Sequence, residues 1–121
     1  MGRNTEHADI DASSTPGELF QTRVAEKAAN PEMQALVNAT YRFDLSGPNG
    51  GAWIVDFRPE TAGVRQVTDE EGQCSIAMKD EDFVAMLAGK YNPRMGFMMG
   101  SLKVKGDMSV AMKLGQALGA S

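Results

Sequence analysis

Residue types that build catalytic and metal sites are scarce in this chain of 121 residues. It has one cysteine, Cys74, and one histidine, His7, which lies near the N-terminus. A single cysteine excludes an internal disulfide, and one histidine with one cysteine cannot supply the ligands of a zinc site. Nucleophilic sites of the Ser-His-Asp or Cys-His type cannot be built on the folded part for the same reason. We therefore expect no catalytic residues, no metal and no cofactor.

Long apolar runs and excess positive charge are also absent. No apolar run approaches the roughly 20 residues that cross a bilayer, and the polar, acidic N-terminus does not resemble a signal or transit peptide. The net charge of −4 disfavours nucleic acid as a partner. The sequence ends in GAS rather than in a peroxisomal tripeptide. These features predict a cytoplasmic protein without a transmembrane segment.

Methionine, by contrast, is abundant and clustered. The chain has nine methionines, seven of them from Met78 onward. The same region is basic, since residues 90–121 carry five basic side chains against Asp107 alone, whereas residues 1–89 carry seven basic and fifteen acidic ones. Methionine is unbranched and polarizable, and it recurs on surfaces that adapt to varied apolar partners. The cluster fits an ordinary core, a pocket for an aliphatic ligand or a groove for a protein partner.

The periodicity predicts one α+β domain over residues 15–121, preceded by a flexible tail at residues 1–14. Thr15-Pro16 with Glu18 has the pattern of a capping box at the start of a helix, and Asn30-Pro31 begins a second helix. Alternating apolar residues then predict four antiparallel strands, within the segments TYRFDLS, AWIVDF, GVRQVT and QCSIAMK.

The pattern changes to a helical period after these strands. Asp80 is predicted to cap a helix within DEDFVAMLAGK, and Asn92-Pro93 begins another. SLKVK predicts a fifth strand, and Asp107 caps a last helix that is apolar on most sides. One stripe of that helix can pack on the sheet, so the other needs an apolar cover; the two stripes are Val110, Leu114, Leu118 and Met108, Ala111, Met112, Gly115. The predicted fold is a mainly antiparallel five-stranded sheet covered by helices on one face.

Two long segments carry a family resemblance, CSIAMKDEDFVAMLAGKYNP and GFMMGSLKVKGDMSVAMKL, and GGAWIVDF upstream extends it to about residues 16–119. The ordered motifs in these segments resemble the sterol carrier protein type 2 domain family. The resemblance implies an apolar tunnel between sheet and helices that takes fatty acids, fatty acyl-CoA, sterols or other lipids.

Transferred to this chain, the tunnel implied by the resemblance is lined by eleven apolar residues of the sheet and of the last three helices. These lining residues are Trp53, Met78, Phe83, Met86, Leu87, Met95, Phe97, Met98, Met99, Met108 and Met112. Many relatives carry a glutamine at the position of Met99, so the methionine here predicts a more apolar cavity.

A separate set of five basic residues is expected to contact an anionic membrane surface or the phosphates of acyl-CoA. This basic set consists of Lys90, Arg94, Lys103, Lys105 and Lys113. The alternative for these residues is an ordinary solvated surface.

The sequence thus predicts a non-enzymatic intracellular carrier that holds a long-chain lipid in a methionine-rich interior. Desolvation drives such binding because each buried methylene contributes about 0.8 kcal/mol. Two alternatives stay open. One is an accessory substrate-binding domain or partner of a larger lipid-processing enzyme, and the other is a groove that takes a partner peptide and no lipid.

Overall fold

A computed structural model describes residues 10, 14–114 and 117 of the chain. Its helices in this part are α1 (Pro16–Leu19), α2 (Ala25–Ala29), α3 (Pro31–Val37), α4 (Asp80–Leu87), α5 (Pro93–Met99) and α6 (Met108–Leu114), and a π-helical segment, Phe20–Val24, joins α1 to α2. The strands are β1 (Thr40–Ser46), β2 (Gly51–Asp56), β3 (Gly63–Val67), β4 (Cys74–Lys79) and β5 (Lys103–Gly106).

Side-chain caps begin four helices where the sequence predicts them, and the one at α6 is Asp107, whose carboxylate accepts a hydrogen bond from the Ser109 N–H at 2.9 Å. The Thr15 hydroxyl accepts a hydrogen bond from the Glu18 N–H at 3.3 Å, and the Glu18 carboxylate accepts one from the Thr15 N–H at 3.2 Å. This capping box satisfies two backbone donors that the helix leaves free. The side chains of Asn30 and Asn92 cap α3 and α5 in the same manner, each ahead of a proline.

Asp80 is not the N-cap residue that the sequence predicts. It is the first residue of α4, and its carboxylate accepts hydrogen bonds from the N–H groups of Glu81 at 2.7 Å and Asn49 at 2.8 Å. The second bond fixes the β1–β2 turn against the start of α4. Gly47 in that turn has a φ of 103°, and a Cβ there would lie 2.3 Å from an Asp80 carboxylate oxygen, so the position requires glycine.

The five strands lie in the order β3-β2-β1-β4-β5. A mainly antiparallel sheet is confirmed, but the pair of β1 and β4 is parallel, where four antiparallel strands in succession were predicted. Strands β2 and β3 extend the sheet on one side of β1, and the chain then returns to add β4 on the other side. Phe43 in β1 faces Trp53 in β2 and Ile76 in β4, which places these three residues in one row of the inner face.

The core lies between this inner face and the helices. Phe20 in the π-helical segment stacks on Trp53, with ring centroids 4.7 Å apart, and on Phe83 of α4, with centroids 4.5 Å apart. Phe43 meets the rings of Phe20 and Phe83 edge-on. Each such pair contributes about 0.5–1.5 kcal/mol beyond the area it buries, so this aromatic cluster fixes α4 and the first helical segments on the sheet.

Two groups of polar contacts secure the opposite, outer side of the sheet. Arg42 donates to the Asp44 carboxylate at 3.0 Å and to the carbonyl oxygens of Thr68 and Glu70, so it pins the β3–β4 connection. The carboxylate of Asp56 is fully buried. Burial alone would raise the pKa of Asp56, but hydrogen bonds from the Arg58 and Thr61 side chains and from the Arg58 N–H outweigh this effect and lower it below its usual value.

Some sequence predictions fall on residues outside the described part of the chain. Ile10, within the predicted tail, is buried among core residues, whereas residues 1–9 and 11–13, with His7, lie outside the description. Gly115 and Leu118 of the last helix also lie outside it. The tail and its boundary therefore stay predictions. Among the helices of residues 14–114, none is long and apolar enough to cross a membrane.

Candidate functional site

The eleven predicted lining residues divide into two groups. Five are buried between the helices and the sheet: Trp53, Met78, Phe83, Met86 and Leu87. Six are exposed on α5 and α6: Met95, Phe97, Met98, Met99, Met108 and Met112. The structure therefore brings only the first group together in the core.

Phe20 occupies the space between two members of the buried group. Its ring lies between those of Trp53 and Phe83, and both pairs are nearly parallel, with interplanar angles of 15° and 19°. The sequence identifies Phe20 only as part of a helix stripe, because nothing local in a sequence pairs two distant aromatic rings. Phe20 thus fills the space between Trp53 and Phe83, whereas Met86 and Leu87 lie farther along α4.

Helix α5 is attached to the fold through a glycine. Of residues Pro93–Met99, all of which the structure describes, only Gly96 is buried. The Gly96 carbonyl oxygen accepts hydrogen bonds from the N–H groups of Ser101 and Leu102 at 2.9 and 3.0 Å. A Cβ at position 96 would lie 1.9 Å from the hydroxyl oxygen of Tyr91, which itself is hydrogen-bonded to the Ser101 hydroxyl at 2.7 Å. A side chain at position 96 would therefore require the Tyr91 ring to shift.

The large apolar side chains of α5 are all exposed. Met98 and Met99 are 74% and 78% exposed, and Met95 and Phe97 are 53% and 45% exposed. Contiguous exposed apolar side chains of this kind mark binding surfaces. The sequence could not assign these residues to a face, since almost every position of the helix is apolar.

Helix α6 packs its Val110 and Leu114 stripe on the core, but Ala111 of the other predicted stripe packs there too. Leu114 is buried and Val110 packs against the core, whereas Met108 and Met112 are exposed. The Tyr41 hydroxyl of β1 donates a hydrogen bond to the Val110 carbonyl oxygen at 2.5 Å. Burial raises the pKa of Tyr41, with a smaller effect of Cys74, so the hydroxyl remains a proton donor. This bond links the helix to the central strand, and the sequence gives no sign of it.

The surface clefts in the described part of the chain include one beside α4 and one along the strands. A cleft of about 360 Å³ lies beside α4 and is lined by Pro16, Asp80 and Val84, among others. A second of about 580 Å³ lies along the strands and is lined by Asp44, Ala77 and Met78, among others. Of the eleven predicted lining residues only Met78 borders either cleft, so in this conformation the two clefts are not the predicted tunnel.

The five residues of the basic set are all exposed, from Lys90 ahead of α5 to Lys113 in α6. None of them forms an ion pair with a carboxylate among the described residues. Lys103 and Lys105 alternate with inward-facing Leu102 and Val104, as predicted. Over residues 14–114, no three histidine, cysteine or acidic side chains are grouped so that they could hold a metal ion.

Comparison with known proteins places these features in a family. The model of the SCP-2 sterol transfer family matches residues 18–119. The hydroxysteroid dehydrogenase-like protein 2 of Xenopus laevis is 37% identical over 98 residues, which are 80% of this chain and 24% of that protein. The chain therefore spans about a quarter of the length of the curated relatives that it matches.

Two solved structures have the same fold. The sterol carrier protein domain 2 of Helicoverpa armigera aligns with a TM-score of 0.65 at 30% identity and covers 90% of this chain and 96% of its own. Palmitated SCP2L2 from Aedes aegypti also aligns with a TM-score of 0.65, at 20% identity, over 84% of this chain and 88% of its own, a likeness that concerns the fold alone. With its order of elements, its sheet and its family match over residues 18–119, this chain belongs to the SCP-2 sterol transfer family.

Proposed function

We propose that this chain binds one long-chain lipid and carries it between membranes or to other proteins. One observation carries the proposal: of the described residues, seven large hydrophobic side chains are exposed, and six of these belong to the predicted lining set. Such a group of exposed apolar side chains costs free energy in water unless something apolar covers it. A lipid chain is the cover that membership of a sterol transfer family favours.

The lipid would lie against α6 and then enter beneath α4. Val110 and Ala111 of α6 pack on the core cluster to which Met86 and Leu87 also belong, and Met108 and Met112 are exposed on the same helix. Methionine side chains rearrange at low cost because they are unbranched. Opening the contact between α6 and the core cluster would join the exposed and the buried groups into the proposed tunnel.

Burial of the lipid chain in this arrangement provides enough free energy for binding without polar contacts. A palmitoyl chain buried along its length would gain on the order of 10 kcal/mol, at about 0.8 kcal/mol per methylene. Ordering of the lipid and of the side chains offsets several kcal/mol of that gain. The remainder still supports useful affinity for a fatty acid, a fatty acyl-CoA or a sterol.

Mass spectrometry under native conditions tests this proposal. The chain, purified gently and then delipidated, is incubated with palmitate and with cholesterol, and we expect uptake of about one lipid per chain. Met99→Gln should raise the occupancy of hexadecanol or palmitate relative to hexadecane, because the amide supplies a hydrogen-bonding group at the predicted cavity. A protein that takes up neither lipid at any ratio would refute the carrier.

A second function, delivery of a lipid substrate to an enzyme, is favoured by the length of the relatives. Because the chain matches only about a quarter of the hydroxysteroid dehydrogenase-like proteins, the same kind of domain occurs there within a longer protein. Such a role predicts a stable complex with a lipid-processing enzyme and faster turnover of a long-chain substrate when the lipid-loaded chain is added. Turnover that responds equally to free lipid would exclude it.

A further inference from the structure

We infer that α5 is a membrane-docking element, whose methionines and Phe97 enter the outer layer of an anionic bilayer while Arg94 contacts the head groups. The inference rests on the proposed function and deepens it, since it names the partner from which the lipid is taken and the segment that makes contact.

The attachment of α5 supports docking rather than collapse of the helix onto the core. Gly96 is the only buried residue of Pro93–Met99, and a side chain there would displace the Tyr91 ring. Hydrogen bonds from Ser101 and Leu102 to the Gly96 carbonyl oxygen fix the end of the helix. The helix is therefore held by its backbone, with its large apolar side chains presented to solvent.

The outward face of α5 combines apolar and cationic groups. Arg94 and Met98 are four residues apart and so lie on the same side of the helix. At 100° per residue this side is opposite Gly96, the point of attachment. An arginine in this position can keep its guanidinium at the level of lipid phosphates while its methylene groups lie beside an inserted methionine.

The charge of the surrounding sequence complements an anionic surface. No acidic residue occurs between Asp82 and Asp107, and four basic residues do, Lys90, Arg94, Lys103 and Lys105. These side chains form no ion pair with a described carboxylate. Each basic residue near an anionic bilayer contributes attraction that salt weakens. Because the whole chain carries a net charge of −4, the attraction is specific to this segment and orients the molecule.

The size and shape of α5 favour a bilayer over a protein partner. Seven residues span about 10 Å at 1.5 Å per residue, whereas a stable protein interface needs about 800 Å² from each partner. A bilayer accepts a short apolar helix without a surface of complementary shape.

Vesicle co-sedimentation tests the inference. The wild-type chain should bind phosphatidylserine vesicles, bind phosphatidylcholine vesicles less, and lose affinity as salt rises. Met98→Gln/Met99→Gln should lower the affinity for phosphatidylserine vesicles about tenfold or more, and Arg94→Glu about tenfold. Leu36→Gln is the matched control, because Leu36 is an exposed apolar residue of α3, and it should bind as the wild type does. Wild-type affinity in the double methionine variant, or an equal loss in Leu36→Gln, would overturn the inference.

A second measurement needs no variant. With a paramagnetic lipid in the vesicles, the methyl signals of Met98 and Met99 should broaden strongly while that of buried Met78 should not. Equal broadening of the three signals, or none, contradicts docking through α5. A dimer that forms without vesicles and is lost in Met98→Gln/Met99→Gln would instead assign the surface to a second copy of the chain. The wild-type chain separates the two proposals: palmitate uptake from solution without vesicle binding refutes the docking alone, and vesicle binding without uptake refutes the carrier alone.

Discussion

Helices α4 and α5 follow one another in the chain, are similar in length and are both largely apolar, yet they meet the rest of the molecule in opposite ways. Helix α4 buries Phe83, Met86 and Leu87 in the core. Helix α5 buries Gly96 and exposes its methionines. The comparison teaches that apolar content does not decide which helix forms core. In α5 the smallest residue makes the contact, and the large ones are left for another partner.

The strongest test of this contrast compares one side chain from each helix. Phe83→Ala should destabilise the fold by about 3–5 kcal/mol, because it removes a ring that contacts Phe20 and Phe43 and leaves a cavity. Met98→Ala, on the outward face of α5, should cost less than about 0.5 kcal/mol. Urea denaturation measures both free energies of unfolding. Similar losses in the two variants would mean that α5 packs as α4 does.

A smaller effect is expected from the contact that holds α5. Gly96→Ala should destabilise the protein by about 1–3 kcal/mol, since its Cβ would overlap the Tyr91 ring. The sign is informative, because alanine in place of glycine stabilises an unconstrained helix interior by about 1 kcal/mol. Adding Tyr91→Ala should return part of the loss, which a double-mutant cycle quantifies. A stabilised Gly96→Ala variant would contradict the close attachment.

Replacing Asp56 tests the polar contacts on the outer side of the sheet, away from the proposed lining residues. Its pKa is lowered in the fold, so the carboxylate adds stability above the unfolded-state value of about 3.9, and this stability is lost as the pH falls through the lower folded-state pKa. Asp56→Asn should therefore cost about 1–3 kcal/mol at pH 7, and its deficit should shrink at pH below about 4. Lipid uptake should be unchanged. A deficit independent of pH would count against this assignment.

A modest loss of stability is expected at the hydrogen bond that anchors α6. Tyr41→Phe removes the hydrogen bond to the Val110 carbonyl oxygen and should cost about 1 kcal/mol. Because that bond holds α6 to the sheet, palmitate should also enter and leave faster, as stopped-flow exchange between labelled vesicles and protein would measure. An unchanged exchange rate would place the opening elsewhere than at α6.

Local signals in the sequence were sufficient to predict the strands and helices and the residues at which most helices begin. The capping box at Thr15 and the Asn-Pro pairs ahead of α3 and α5 form as predicted, because caps depend on neighbours in the chain. The alternation within TYRFDLS and CSIAMK likewise assigns residues to faces of the sheet correctly. The mainly antiparallel sheet covered by helices could therefore be predicted from the sequence.

Features that depend on partners distant along the chain could not be predicted from the sequence. The parallel pairing of β1 with β4 and the position of Phe20 between Trp53 and Phe83 join residues more than thirty positions apart along the chain. Apolar residues occupy most positions of α5, so the hydrophobic pattern does not indicate which side of the helix faces the core. The fit of Gly96 to Tyr91 sets the outward face. The predicted tunnel lining depends on a conformation that ligand binding would have to open, and it stays a proposal.

Methionine methyl spectroscopy during a titration with palmitate tests the central proposal, a lipid site formed by exposed and buried methionines together. We predict that the signals of Met108 and Met112 on α6 and of Met86 on the buried side of α4 shift together and saturate at about one palmitate per chain. Shifts confined to the exposed methionines, without saturation, would contradict the account, because they would describe adsorption of the lipid on a surface rather than its entry into the protein.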